Sequence, residues 1–99
     1  MAKYYIEVTE EAKADLYQYS ASERKIIIGD VRVQLGEQPL IETKNRKKLR
    51  GNPVSPWELR VRKYRIFYQV NEASQSVTII AIGHKERNSL LIRGKEVKI

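Results

Sequence analysis

The feature that most constrains this chain is period-two alternation over residues 57–70, broken by one tight basic turn and followed, after a polar turn, by a nearly all-apolar run at 77–82. Side chains that alternate between apolar and polar belong to half-buried strands, and strands joined by turns of two to six residues are too close in sequence for a parallel crossover and pair antiparallel. Trp57, Leu59 and Val61 point one way, and Glu58, Arg60 and Arg62 the other. A tight basic turn at Arg62-Lys63 leads into Tyr64–Val70, where Ile66, Tyr68 and Val70 share one face and Arg65, Phe67 and Gln69 the opposite one. Asn71 to Ser76 reads as a polar turn. Val77 to Ile82 is nearly all apolar, the pattern of a strand covered on both faces and therefore central. Gly83 is expected to end it, and the tail from His84 to Ile99 reads either as a short strand or as a frayed helical turn.

Upstream the period lengthens to that of a helix. After a loosely alternating strand (Tyr4, Ile6, Val8), Thr9 is placed to cap a helix whose first turn holds Glu10 and Glu11, favoured there by the helix dipole. Ala12, Leu16 and Tyr19 fall on one face. Ser20-Ala21-Ser22-Glu23 has the spacing of a capping box for a second helix. That helix carries Ile27, Ile28, Val31 and Leu35, and Gly36 and Pro39 end it. The short junction implies an antiparallel helical hairpin. Residues 40–56 form a basic loop or short edge segment ending in Gly51-Asn52-Pro53 and Pro56. The expected fold is therefore α+β: an N-terminal strand, a two-helix hairpin and an antiparallel sheet of three to four strands, with the helices over one face. Its 99 residues suit a single domain, 1–99.

Charge is sorted along the chain. Residues 1–43 hold 5 basic and 8 acidic side chains, residues 44–99 hold 14 and 4, and within 44–65 nine cations face one acid, Glu58. Such sorting suits a polyanionic or acidic partner better than a uniformly solvated surface. The sequence has no cysteine and one histidine, so disulfides are excluded and neither a transition-metal site nor a cofactor is expected. No phosphate-binding glycine loop or serine nucleophile set appears. The opening Met1-Ala2-Lys3-Tyr4 carries no signal-peptide core, and no apolar run approaches the roughly 20 residues of a membrane helix. A cytoplasmic chain without membrane contact is the expectation.

If the 57–61 and 64–70 strands pair as a hairpin, Arg60 and Arg65 lie near each other on the face away from the helices. His84-Lys85-Glu86-Arg87 brings two more cations and the imidazole. Cations converging beside an aromatic ring suit a phosphodiester flanked by a stacked base. Lys44, Arg46, Lys47, Lys48, Arg50, Arg62 and Lys63 extend the basic surface as nucleic-acid-binding candidates. Trp57 is expected in the core, and of Tyr4 and Tyr5 one is expected inside and one outside.

The run Tyr64-Arg65-Ile66-Phe67-Tyr68-Gln69-Val70 resembles the central strand of the RelE/ParE toxin superfamily. So do Leu49-Arg50-Gly51, Trp57-Glu58-Leu59-Arg60-Val61 and the ending Gly83-His84-Lys85-Glu86-Arg87-Asn88. The resemblance implies the toxin of a type II toxin–antitoxin pair. RelE-type members are ribosome-dependent endoribonucleases that cut messenger RNA without a metal. The RNA 2′-hydroxyl attacks the adjacent phosphorus and leaves a 2′,3′-cyclic phosphate, a reaction needing a proton acceptor, phosphoryl charge neutralisation and a proton donor.

Carried over by position, the resemblance places Arg65 at the transition-state phosphate. It puts Lys85 where the family has a catalytic arginine, keeping the cation but losing the bidentate fork. Arg87 matches a neighbouring basic position, and Arg60 lies on the strand that supplies basic residues. Glu58 and His84 are both left as general-base candidates. Leu91 stands where the family has a tyrosine near the leaving group, which puts the general acid in question. The implied partners are an acidic antitoxin, through which alone operator DNA is reached, and mRNA on the ribosome. The alternatives are a ParE-like, non-hydrolytic inhibitor of DNA gyrase, and an inactive antitoxin-binding relic.

Overall fold

The computed structural model describes residues 3–51 and 55–97. Asn52 and Pro53 of the expected basic loop lie outside the described residues. The elements run β1 (Tyr5–Val8), α1 (Glu10–Leu16), α2 (Ala21–Leu35), β2 (Arg46–Lys48), β3 (Trp57–Val61), β4 (Tyr64–Asn71), β5 (Ser76–Glu86), β6 (Ser89–Ile92) and β7 (Lys95–Val97). Strands β2 to β7 lie side by side in chain order, each antiparallel to the next, and β1 joins β5 in parallel. The expected sheet of up to four strands is present as β2–β5, and the tail adds β6 and β7.

Both helices start where the caps predict. Thr9 accepts the Ala12 amide at 3.1 Å. Ser20 and Glu23 close the capping box, each side chain taking the other's backbone N–H. Ala12, Ile27, Val31 and Leu35 pack on Leu59, Val61, Ile66, Tyr68, Val77, Ile79 and Ile82, so the helices cover one face of the sheet. Trp57 is 6% exposed and stacks on Tyr68, as a core residue should. Tyr4 packs against this core and Tyr5 is exposed.

The opposite face carries a second, smaller cluster of Phe67, Ala81, Leu90 and Ile92, flanked by Leu49 and Val97. Here the sequence expectation needs correcting. Gly83 does not end the strand: β5 runs on to Glu86. Glycine is required at 83 because a Cβ there would sit 2.4 Å from the Leu91 carbonyl oxygen and 2.7 Å from Ile92. The missing side chain marks the close approach of β6, not a break.

Strand β5 is bordered on one side by β4 over residues 76–84. On the other it meets β1 at residues 76–79 and β6 at 83–86, which leaves a gap between them. Helix α1 fills that gap with side chains. The Thr9 hydroxyl donates to Ile80 O at 3.4 Å, and buried Asp15 accepts the Ile82 amide at 3.1 Å. Asp15 in turn meets Arg93 Nε at 2.7 Å, from the turn between β6 and β7. Burial raises the Asp15 pKa, and the Ile82 amide and Arg93 pull it back down. No helix among the described residues is long and apolar enough to cross a membrane.

Candidate functional site

Cross-strand register sorts the candidate residues into two groups. Arg60 lies opposite Arg65, Arg65 opposite Gly83 and Gly83 opposite Ile92, a single row across β3–β6. Glu58 is two residues back on the same face, and Lys85 two residues on. These four therefore occupy the face away from the helices, as the alternation of β3 and β4 predicts.

Glu58 is 5% exposed, and it stands between the two arginines. Its Oε2 is 3.4 Å from Arg60 Nε and its Oε1 4.0 Å from Arg65 Nε. The Arg65 side chain is largely buried, and its Nη1 donates to the carbonyls of Arg62 at 2.8 Å and Tyr64 at 2.9 Å. Its Nε–H is buried without a hydrogen-bond acceptor. Burial lowers the Arg65 pKa from the usual guanidinium value, Glu58 opposes that shift and Arg60 adds to it. Arg60 is the accessible guanidinium of the pair, with a side chain 42% exposed. The arrangement is a fixed positive surface: one arginine sunk and braced, one reaching outward. Two like charges directly opposite on neighbouring strands repel, and the carboxylate beneath them is what makes the pairing tolerable.

Phe67, the aromatic ring of this face, is fully buried under Leu90 and Ile92. Phe67 therefore offers no stacking platform beside the cations, because the β6–β7 hairpin uses the ring as core.

The register places His84 elsewhere. It lies opposite Tyr64 on one side and Leu91 on the other, in the row that begins at Val61. This is the helix-covered side, so His84 does not converge with Arg60 and Arg65. The Tyr19 hydroxyl, from the segment between α1 and α2, meets His84 Nδ1 at 2.7 Å. The Tyr19 ring stands edge-on to both Tyr64 and His84, with centroids 5.4 and 5.6 Å away. Tyr64 donates to Glu23 Oε2 of α2. Lys63 Nζ is 3.7 Å from the same oxygen and 5.5 Å from the Tyr64 ring centre. Glu86 Oε1 lies 4.0 Å from His84 Nε2.

Burial pushes both Tyr19 and Tyr64 up to about 12, so both phenols hold their protons at neutral pH. The Tyr64 hydroxyl, helped by the Ser20 cap, holds Glu23 down at about 2. Tyr19, Tyr64 and Glu23 were not candidates in the sequence. The phase of Tyr64 with Ile66 and Tyr68 carried the signal, but ending β5 at Gly83 hid that His84 continues the same row.

Of the other cations, Lys44, Lys47, Lys48, Arg50, Arg62, Lys63 and Arg87 are exposed. Arg46 is the correction among the expected nucleic-acid contacts. It is 6% exposed, its Nε donates to Ile41 O at 2.9 Å, and its Nη1 donates to Gln34 O and Gln34 Oε1 at 2.8 Å each. Opposite Leu59, it shares the helix-side row and serves as a cation at the C-terminal end of α2, where free carbonyls favour one. Among the described residues no three His, Asp or Glu side chains are grouped to hold a metal ion.

The profile of a family described as the ParE toxin of type II toxin–antitoxin system, parDE, matches residues 6–89. No curated protein matches the sequence. Among solved structures, the isolated RelE toxin of E. coli is 29% identical with a TM-score of 0.69, covering 85% of this chain and 86% of that one. The toxin in the intact E. coli RelBE toxin–antitoxin complex is 30% identical, with a TM-score of 0.67 and coverage of 85% and 99%. The toxin–antitoxin complex RelBE2 of Mycobacterium tuberculosis shares the fold at 21% identity and a TM-score of 0.74, covering 85% of this chain and all of that chain.

Proposed function

This chain belongs to the ParE toxin family of type II toxin–antitoxin systems, and from that premise we propose that it halts translation by cutting mRNA on the ribosome. The observation that carries the reading is the braced row of Arg60 and Arg65 continued by Lys85 on an open sheet face. Fixed cations on a strand scaffold, held before substrate arrives, grip the RNA backbone without reorganising, which positions a phosphodiester for metal-free cleavage. Arg60 and Lys85 meet the RNA, and Arg65 sets their spacing and field from beneath. Of the two base candidates, Glu58 is buried and clamped by both guanidinia, so its work is to hold them. His84 is left as the group for proton transfer.

The E. coli and Mycobacterium tuberculosis relatives were solved as toxin–antitoxin complexes, which supports an antitoxin partner here. Its segment over the cations would be acidic and would order on binding. Operator DNA would be reached through the antitoxin.

One observation favours a second reading, a ParE-like block of DNA gyrase without hydrolysis: among the described residues the cation face carries no imidazole or free phenol beside Arg60 and Arg65. Induced expression with pulse labelling of protein and DNA synthesis separates the two. Protein synthesis falling first, with new 5′ ends inside reading frames, is the expected result. DNA synthesis falling first with mRNA intact would overturn the cleavage reading, and neither falling would mark an inactive relic.

A further inference from the structure

The helix-side cluster of Tyr19, Tyr64, Glu23, Lys63 and His84 takes no part in the cation face, yet it is built with long-range precision. Tyr19 and His84 are 65 residues apart in sequence and 2.7 Å apart in space. Tyr64 and Glu23 join β4 to α2 across 41 residues. Two edge-to-face contacts fix the Tyr19 ring between them. The His84 side chain is 23% exposed, so the ring is held and yet reachable.

With Nδ1 taken by Tyr19, Nε2 is the nitrogen left for chemistry. A phenol is a suitable holder for a ring that must change charge. Its oxygen can accept from Nδ1–H both in the imidazolium and in the neutral ring left when Nε2 gives up its proton, so the ring keeps one orientation through a proton transfer. The groups facing this ring are Tyr19 before α2, Tyr64 on β4, Glu86 on β5, and Lys63 and Glu23 behind Tyr64, with Asp15 acting on Tyr19 through space. Leu91, directly opposite on β6, has no proton to give.

Lys63 supplies a cation on the same side as His84. The Arg62-Lys63 turn ends the β3–β4 hairpin, and the Lys63 carbonyl accepts the Lys85 amide at 2.8 Å, so the two faces meet at this end of the sheet. An RNA strand bent over the end can present one phosphate to Arg60 and Lys85 and the next to Lys63 and His84.

We propose that His84, oriented by Tyr19, is the general acid of RNA cleavage, and that the scissile phosphate sits beside Lys63 at the helix-side end of the sheet. This rests on the mRNA-cleaving reading above. The 2′-oxygen bonds to phosphorus and its proton passes to water. The bond from phosphorus to the 5′-oxygen of the next nucleotide breaks, and His84 Nε2–H protonates that oxygen. Water returns a proton to the imidazole, leaving a 2′,3′-cyclic phosphate and a 5′-hydroxyl with no net change in protons. Tyr19 is a positioning residue, Lys63 neutralises the phosphoryl oxygen, and Arg60 and Lys85 grip the neighbouring phosphate.

The single histidine makes the test specific, because the only imidazole resonances belong to His84. Single-turnover cleavage of ribosome-bound mRNA is followed against pH for wild type, Tyr19→Phe, Tyr64→Phe and His84→Gln, and His84 is titrated by NMR in the first three. His84→Gln is expected to lose about 10²–10⁴-fold in kcat with KM unchanged. Tyr19→Phe keeps both ring contacts. It should lose roughly tenfold in kcat, the scale of one hydrogen bond lost from the transition state, and its kinetic and NMR midpoints should move together. Tyr64→Phe, which cuts the Glu23 bond and spares the Tyr19–His84 pair, should leave both midpoints in place. A wild type that cleaves with a pH profile independent of the His84 titration, or one that Tyr19→Phe does not move, overturns this proposal and leaves the cleavage reading standing. A wild type that leaves ribosome-bound mRNA intact overturns both.

Discussion

The two faces of strands β3–β5 are made by alternate residues of the same strands, yet they are held in different ways. On the open face, the cation row is braced locally: Arg65 by the carbonyls of Arg62 and Tyr64, and both arginines by Glu58 on the next row. On the helix side, His84 and Tyr64 are held by Tyr19 and Glu23, which arrive from the N-terminal third of the chain. A local brace keeps charge in place whatever lies above it, and so leaves a surface free for a polyanion. A long-range brace fixes one ring to within a hydrogen bond, which is what proton transfer requires and charge neutralisation does not.

The sharpest way to break the local brace is Glu58→Ala. Removing the carboxylate leaves a largely buried Arg65 facing Arg60 with no counter-charge. The expected cost is about 3–5 kcal/mol, the usual result of stripping one partner from a buried ion pair, read from the urea midpoint. A loss under about 1 kcal/mol, typical of an exposed pair, would mean that the arginines do not need it. Next in size is Asp15→Ala, which leaves the Ile82 amide in the β5 gap without an acceptor and should cost about 1–3 kcal/mol. Amide exchange at Ile82, measured beside that at Ile79, whose carbonyl is held by Thr9, shows whether the gap opens locally.

A pH scan tests the long-range braces that come from the helices. Glu23 is depressed from 4.5 to about 2, so the folded chain binds fewer protons there than the unfolded one. Its stabilisation is complete above the unfolded value and disappears as pH falls through the folded one. The Tm gap between wild type and Glu23→Gln should be widest above pH 4.5 and close toward pH 2. Asp15 has the opposite sign: its raised pKa disfavours the charged form in the fold, so it costs stability as pH rises past its ordinary value of 3.8. A gap that stays constant across the range would show that Tyr64 does not hold Glu23.

The smallest expected effect on stability is that of Arg62→Gly. Arg62 sits in the turn at φ 55, where a side chain is strained. Glycine relieves a left-handed penalty of about 1 kcal/mol and gains similar freedom in the unfolded chain, so the net change should stay within about 0.5 kcal/mol. The variant removes an exposed cation without disturbing the fold. It should raise KM for ribosome-bound mRNA while sparing kcat, the reverse of His84→Gln.

The open face was legible because its logic is local. Period two in Trp57–Val61 and Tyr64–Val70, with a two-residue turn between, is enough to set Arg60 opposite Arg65. The helix caps were legible for the same reason, since Thr9 and Ser20 act within three residues. The helix-side cluster was not, because nothing near Tyr19 or Glu23 indicates which strand residue they will meet. Gly83 misled in a specific way: glycine that admits a neighbouring strand looks the same in sequence as glycine that ends one. Arg46 stood in a run of exposed lysines and arginines, and only the position of the α2 C-terminus shows why it alone turns inward.

The most direct test is to add the purified full chain to ribosomes programmed with a defined mRNA and to map the ends produced. Cuts within the ribosome-bound codons, carrying a 2′,3′-cyclic phosphate upstream and a 5′-hydroxyl downstream, are the result predicted here. Intact mRNA together with loss of gyrase supercoiling activity would contradict the account, and would make the cation face a protein-binding surface instead.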